Sequence, residues 1–173
     1  QAEVHGNIGF VLHSLGQDEE ALAHYRQALA IDPQLARVHR DLALTLSCLG
    51  RPSEAEASLR RAIERVPDFA LAHNDLGNVL LAQKRADEAA QSLERALEID
   101  PRFVMAYVNL ARCALEQGRL LEAEALCRKA LEIEPDNPRT YQNLGVALSQ
   151  GGAFAEAVTS LRQSLSLDPQ QPL

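Results

Sequence analysis

The sequence predicts an all-α solenoid of five helix-turn-helix units. Two observations carry the prediction. Prolines fall at 33, 67, 101, 135 and 169, one every 34 residues, and a fixed period of that length marks a stacked repeat architecture. In the frame those prolines set, small and apolar residues recur at the same places in every period. With the proline as position 32, the units are 2–35, 36–69, 70–103, 104–137 and 138–171, which make one domain over 2–171 with residues 172–173 as a tail.

Each element follows from its columns. The first helix of a unit carries Ile8, Leu42, Leu76, Leu110 and Leu144 at position 7 and Gly9, Ala43, Gly77, Ala111 and Gly145 at position 8. The apolar residue faces a core, and the small one lets a neighbouring helix axis approach to about 8–10 Å. Position 15 holds Gly16, Gly50, Lys84, Gly118 and Gly152. A glycine there suits a left-handed residue that ends the first helix. Lys84 departs, and the cost of that conformation for a side chain, about 1 kcal/mol, predicts a looser or differently built third turn. The second helix carries Ala21, Ala55, Ala89, Ala123 and Ala157 at position 20, then Ala28, Ala62, Ala96, Ala130 and Ser164 at position 27. The closing proline cannot continue it. Asp32, Asp100, Glu134 and Asp168 precede four of the prolines, and an Asp there is a candidate cap for the following helix.

Composition narrows the function. The 173 residues are 46% hydrophobic and 24% charged, with a net charge of −7. That apolar share argues against disorder, and the acidic balance argues against nucleic-acid binding, which needs a cationic face. The longest apolar run, Phe103 to Val108, is far too short to span a bilayer, so no membrane insertion is expected. Three widely spaced cysteines form neither a disulfide framework nor a zinc motif. They suit a reducing compartment, and a cytoplasmic location is expected. The chain opens without Met, which reads as an excised or processed segment.

The 34-residue period with its small, turn and proline positions resembles the tetratricopeptide repeat. The aromatic often found at position 4 of that family is here His5, His39, His73, Tyr107 and Tyr141. The resemblance implies a right-handed superhelix whose concave surface is lined by the first helices and binds an extended peptide or a partner helix. It implies a binding scaffold, with no catalytic residue and no cofactor. The strings VHGNIG, VHRDLA, AHNDLG, AYVNLA and TYQNLG are similar to first helices in the repeat domain of O-linked N-acetylglucosamine transferases, where an asparagine ladder lines the lumen.

The corresponding column, position 6, reads Asn7, Asp41, Asp75, Asn109 and Asn143. A side-chain amide donates and accepts, so it can grip a peptide bond of any sequence. Each such bond contributes about 0.5–1.5 kcal/mol, which points to micromolar affinity for a whole ladder. The two carboxylates only accept. Asp41 also has a purely local alternative, an i,i+4 pair with Arg37. Asn74, Asn78, Arg112 and Arg139 are candidate helpers, and the arginine forks suit an acidic group. The match to the family's chaperone-tail clamp extends only to Asn78, Asn109 and Arg139.

His5, His39 and His73 lie one per unit, about 10 Å apart, too far to share an ion whose ligands sit near 2 Å. No metal site is expected, and packing between paired helices accounts for them. Cys113 and Cys127 fall on faces that should be buried, whereas Cys48 should be exposed. The final helix, about Phe154 to Leu167, keeps Val158, Leu161 and Leu165, with no polar capping helix after it. Repeat arrays need capped ends, so either the natural chain continues or this face packs on another chain. The leading function is recognition of a peptide segment of a protein partner. The alternatives are the substrate-selecting arm of a larger enzyme, glycosyltransferase-like, and a self-assembly module that uses its terminal faces.

Overall fold

A computed structural model describes residues 1–168. The described residues form ten α-helices and no strand: α1 (Ala2–Ser14), α2 (Asp18–Ile31), α3 (Ala36–Cys48), α4 (Pro52–Arg65), α5 (Ala70–Ala82), α6 (Ala86–Ile99), α7 (Val104–Glu116), α8 (Leu120–Ile133), α9 (Pro138–Gln150) and α10 (Phe154–Leu167). Pro169, the end of the fifth unit and the 172–173 tail lie outside them. The helices fall into two compact units, Gln1–Arg85 with α1–α5 and a second from Ala86 with α6–α10.

Helix ends follow one rule throughout. The residue at position 15 is left-handed in every unit, with φ of 74°, 69°, 71° and 84° at Gly16, Gly50, Gly118 and Gly152. The next amide then reaches back five residues, as in Gln17 N–H to Leu12 O (2.9 Å) and Arg119 N–H to Ala114 O (2.8 Å). That closure satisfies carbonyls the helix leaves open. Lys84 adopts the same conformation, φ 63°. Its turn closes alike, Lys84 N–H to Leu81 O at 2.9 Å and Arg85 N–H to Leu80 O at 3.0 Å. The third turn is therefore not looser: the closing hydrogen bonds outweigh the strain of one side chain.

The second helices end in an extended residue, φ −137° at Asp32, −134° at Val66 and −132° at Glu134, as the following proline requires. The expected Asp caps work differently. Asp32 accepts from the Gln34 amide (2.9 Å) and Asp100 from the Arg102 amide (3.0 Å), so both close the inter-repeat turn. The next helices start at Leu35 and Phe103, which offer no side-chain cap. Asn137 is a true N-cap and accepts from the Thr140 amide at 3.0 Å.

In the first unit the core is centred on Leu22, Tyr25, Leu46 and Leu59 with Ala21, Ala28, Ala55 and Ala62 fully enclosed between them. In the second, Ala111, Cys127, Leu144, Leu148 and Ala157 cluster, with Ala123 and Ala130 in neighbouring clusters. Ser164, which takes the alanine's place at position 27, donates to Pro138 O at 2.9 Å, so its hydroxyl is satisfied. Two of the glycines at position 8 are tight. A Cβ on Gly9 would lie 2.7 Å from the Tyr25 ring, and one on Gly145 would lie 2.6 Å from Leu161 Cγ.

Position 4 has a structural task that the sequence did not suggest. His39 Nε2 bonds the carbonyl of Pro33 (3.1 Å), His73 Nε2 that of Pro67 (2.9 Å), and the Tyr107 hydroxyl that of Pro101 (3.2 Å). Each ties a first helix to the proline turn that precedes it. Histidine and tyrosine are interchangeable there because either can present a donor at that reach.

Candidate functional site

Position-6 residues of α1, α3 and α5 belong to the first compact unit and those of α7 and α9 to the second. The helical period places position 6 on the same side of every first helix, one residue ahead of position 7, which is buried at Leu42, Leu76, Leu110 and Leu144 and exposed at Ile8.

In the first unit the rungs are joined by arginines. Arg37 donates to Asn7 Oδ1 and to Asp41 Oδ2, both at 3.4 Å. Arg40 donates to Asp75 Oδ2 at 2.6 Å, and its Nη1 lies 3.7 Å from Asp41 Oδ1. Asn74 donates to Asp75 Oδ1 at 3.3 Å. The result is a polar chain, Asn7–Arg37–Asp41–Arg40–Asp75–Asn74, that crosses three first helices. The local Arg37–Asp41 pair is thus present, but as one link of a longer network.

The two arginines are held differently. The Arg40 side chain is 20% exposed and gripped by a short bond, whereas Arg37 is 64% exposed and makes only long ones. Its guanidinium carbon lies 5.9 Å from the centroid of the half-exposed Phe10 ring, within the range of a cation–π contact. Burial pushes the Asp41 and Asp75 carboxyls above the ordinary carboxylate range, against the opposing pull of Arg40 on both and of Arg37 on Asp41. Desolvation disfavours the charged form, and here the arginines only partly offset it.

In the second unit Asn143 Nδ2 donates to Val108 O at 3.0 Å. Asn109 is buried and Arg112 half-buried, and both are engaged in interactions. Arg139 is exposed one turn before Asn143 on α9. Asn78 is exposed on α5, in the first unit.

One geometric pattern recurs in both units. Asp75 is bonded to Arg40, and Asn143 to Val108, each 35 positions earlier. In both pairs a position-6 side chain leans on position 5 of the preceding repeat. Arg40 was not among the candidate site residues, although an arginine at position 5 followed one period later by an aspartate at position 6 is a readable signal for the bridge. Phe10 was missed as a partner of Arg37.

The three thiols lie as expected: Cys48 is exposed, and Cys113 and Cys127 are buried. Among the described residues no helix is long and apolar enough to cross a membrane, and no group of three or more His, Cys, Asp or Glu could hold a metal ion.

Comparison with known proteins gives a consistent answer. Tetratricopeptide repeat profiles match residues 40–102 and residues 1–68 and 102–170. Among solved structures, PilF of Pseudomonas aeruginosa superposes with a TM-score of 0.89 at 24% identity, over 98% of this chain and 78% of that one. MamA of Desulfovibrio magneticus RS-1 gives 0.85 at 21% identity, over 99% and 97%. YrrB, a tetratricopeptide repeat protein with an unusual peptide-binding site, gives 0.77 at 23% identity, over 99% and 88%. Likeness at these identities concerns the fold. No curated protein matches the sequence.

Proposed function

Because the chain belongs to the tetratricopeptide repeat family, whose members are in general non-catalytic scaffolds for protein interaction, we propose that it binds an extended peptide segment of a partner along the position-6 side chains of its first helices. The observation that carries this reading is the shared register of two rungs, Asp75 and Asn143, each set beside position 5 of the repeat before it. Repeats about 10 Å apart match about three residues of extended chain.

The rungs divide the work by chemistry. Asn109 and Asn143 suit a peptide backbone, since an amide both donates and accepts. Asp41 and Asp75 already face arginines, so a cationic ligand group gains little there. Asn74, Asn78, Arg112 and Arg139 are the helpers. The test is a pull-down from source lysate with the wild-type chain and with an Asn109→Ala/Asn143→Ala variant of equal helicity. A partner captured by the wild type and lost on mutation supports the ladder. Unchanged capture refutes it and points to the substrate-arm or self-assembly readings.

A second observation favours self-association. Val4 and Val11 of α1 are 59% and 56% exposed. Their equivalents one period on, Val38 and Thr45, are 6% and 0% exposed, on the helix against which α1 and α2 pack. On this reading α10 of another copy, with its exposed Val158 and Leu165, takes the covering role. Sedimentation at high concentration tests it, and a monomer throughout sinks it.

A further inference from the structure

The position-4 histidines are not alike. His39 and His73 spend Nε2 on a proline carbonyl. His5 of α1 instead faces His24 of α2, with the two Nδ1 atoms 3.1 Å apart. The rings lie 5.3 Å apart between centroids, tilted by 31°, and both residues are half-buried. Neither His39 nor His73 meets a second imidazole, because position 23 of their own units is Ser58 and Ser92.

We propose that His5 and His24 form a chelating pair for a borderline divalent transition ion, Zn2+ first among them. The spacing of the two nitrogens fits such an ion. Two nitrogens each 2.0–2.1 Å from a tetrahedral ion lie about 3.3 Å apart, close to the 3.1 Å found here. Imidazole is the ligand such ions favour. The ring pair is already held at this separation by the packing of α1 on α2, so little side-chain freedom remains to be lost. Without metal, Nδ1–H of one ring donates to Nδ1 of the other. When the ion enters, that proton moves through solvent to Nε2 of the same ring, and both Nδ1 lone pairs face the ion. No third protein ligand completes the set among the described residues, so water fills the remaining positions.

The ion would clamp the first helix to the second. A ligand that binds only the folded state, at ten times its Kd, raises the folded-to-unfolded ratio about elevenfold. The inference is independent of the peptide-binding reading.

The test uses the full chain with Cys48→Ser, which removes the exposed thiol as a competing zinc ligand, and ZnCl2 as the probe. Calorimetric titration should show one saturable ion per chain. His5→Gln and His24→Gln should each weaken binding at least tenfold. His13→Gln should leave it intact, although His13 and Asp18 form a separate pair at 2.6 Å. In parallel, the ring NMR signals of His5 and His24 in the unsubstituted histidine background should shift with one equivalent of Zn2+, while those of His39 and His73 stay put. That readout holds even if a glutamine variant fails to fold. Absence of saturable binding overturns the proposal. So does affinity unchanged in either variant, or a shift confined to His13.

Discussion

Replacing Gly9 by alanine sets two physical effects against each other with opposite signs. Helix propensity alone predicts a gain of about 1 kcal/mol for Gly→Ala in a helix interior. Packing predicts a loss. The new Cβ would sit 2.7 Å from Tyr25 Cε1, 2.8 Å from Cδ1 and 3.0 Å from Cζ, where carbon–carbon contacts want about 3.5–4.0 Å. Relief requires a shift of about 1 Å. The ring cannot swing out, because Tyr25 is fully buried between α1, α2 and α3, and burial holds its phenol as the neutral form, pushed up to about 12. Overpacking of a rigid core costs about 1–3 kcal/mol. The net expectation for Gly9→Ala is a loss of about 1 kcal/mol, at most about 2. Urea denaturation followed by circular dichroism reads the net change, and amide exchange in α1 localises it. In a Tyr25→Leu background the same substitution should turn neutral or stabilising, which isolates the contact as a coupling energy. A gain of about 1 kcal/mol from Gly9→Ala in the otherwise unaltered chain would refute the close-approach argument.

Lys84→Gly should stabilise the chain by about 0.5–1 kcal/mol, because it removes left-handed strain that outweighs the added freedom of the unfolded chain; a lower urea midpoint would contradict this. The Asp41 and Asp75 carboxyls have folded pKa values raised above their unfolded ones. Their contribution to stability is therefore present in acid and lost as pH rises through the raised values. As pH falls from 7 into acid the wild type should gain stability relative to an Asp41→Asn/Asp75→Asn variant, and a relative loss in paired urea titrations would show the opposite sign. Burial pushes the Cys113 thiol up to about 11 and the Cys127 thiol up to about 12. A thiol reagent at pH 8 should modify Cys48 quickly and the other two only after unfolding; a second fast equivalent in the native state would disprove their burial.

The repeat and its helices were legible because they rest on local rules that act once per period. A glycine or lysine ends a first helix, a proline ends a second, and alanines at positions 20 and 27 meet a neighbour of known distance. Lys84 shows the limit of reading residues singly: its strain is real, but the two hydrogen bonds that close the turn decide the outcome. Asp32 shows another: a capping residue was recognised, while the amide it serves, two residues on rather than at the next helix, depended on the turn's geometry.

By itself, then, the sequence determined the period, the helix pairs, the small residues at their contacts and the side on which position 6 stands. Periodic composition and nearest-neighbour packing set all of these, and both are written along the chain. Only the tertiary structure decided who holds whom. Arg40 could have stayed with Asp41 on its own helix, yet its short bond goes to Asp75. His5 shares a column with His39 and His73, yet it meets His24. Such choices turn on differences of about 1 kcal/mol between competing hydrogen bonds, and a contest that close is settled by where the helices bring the side chains together.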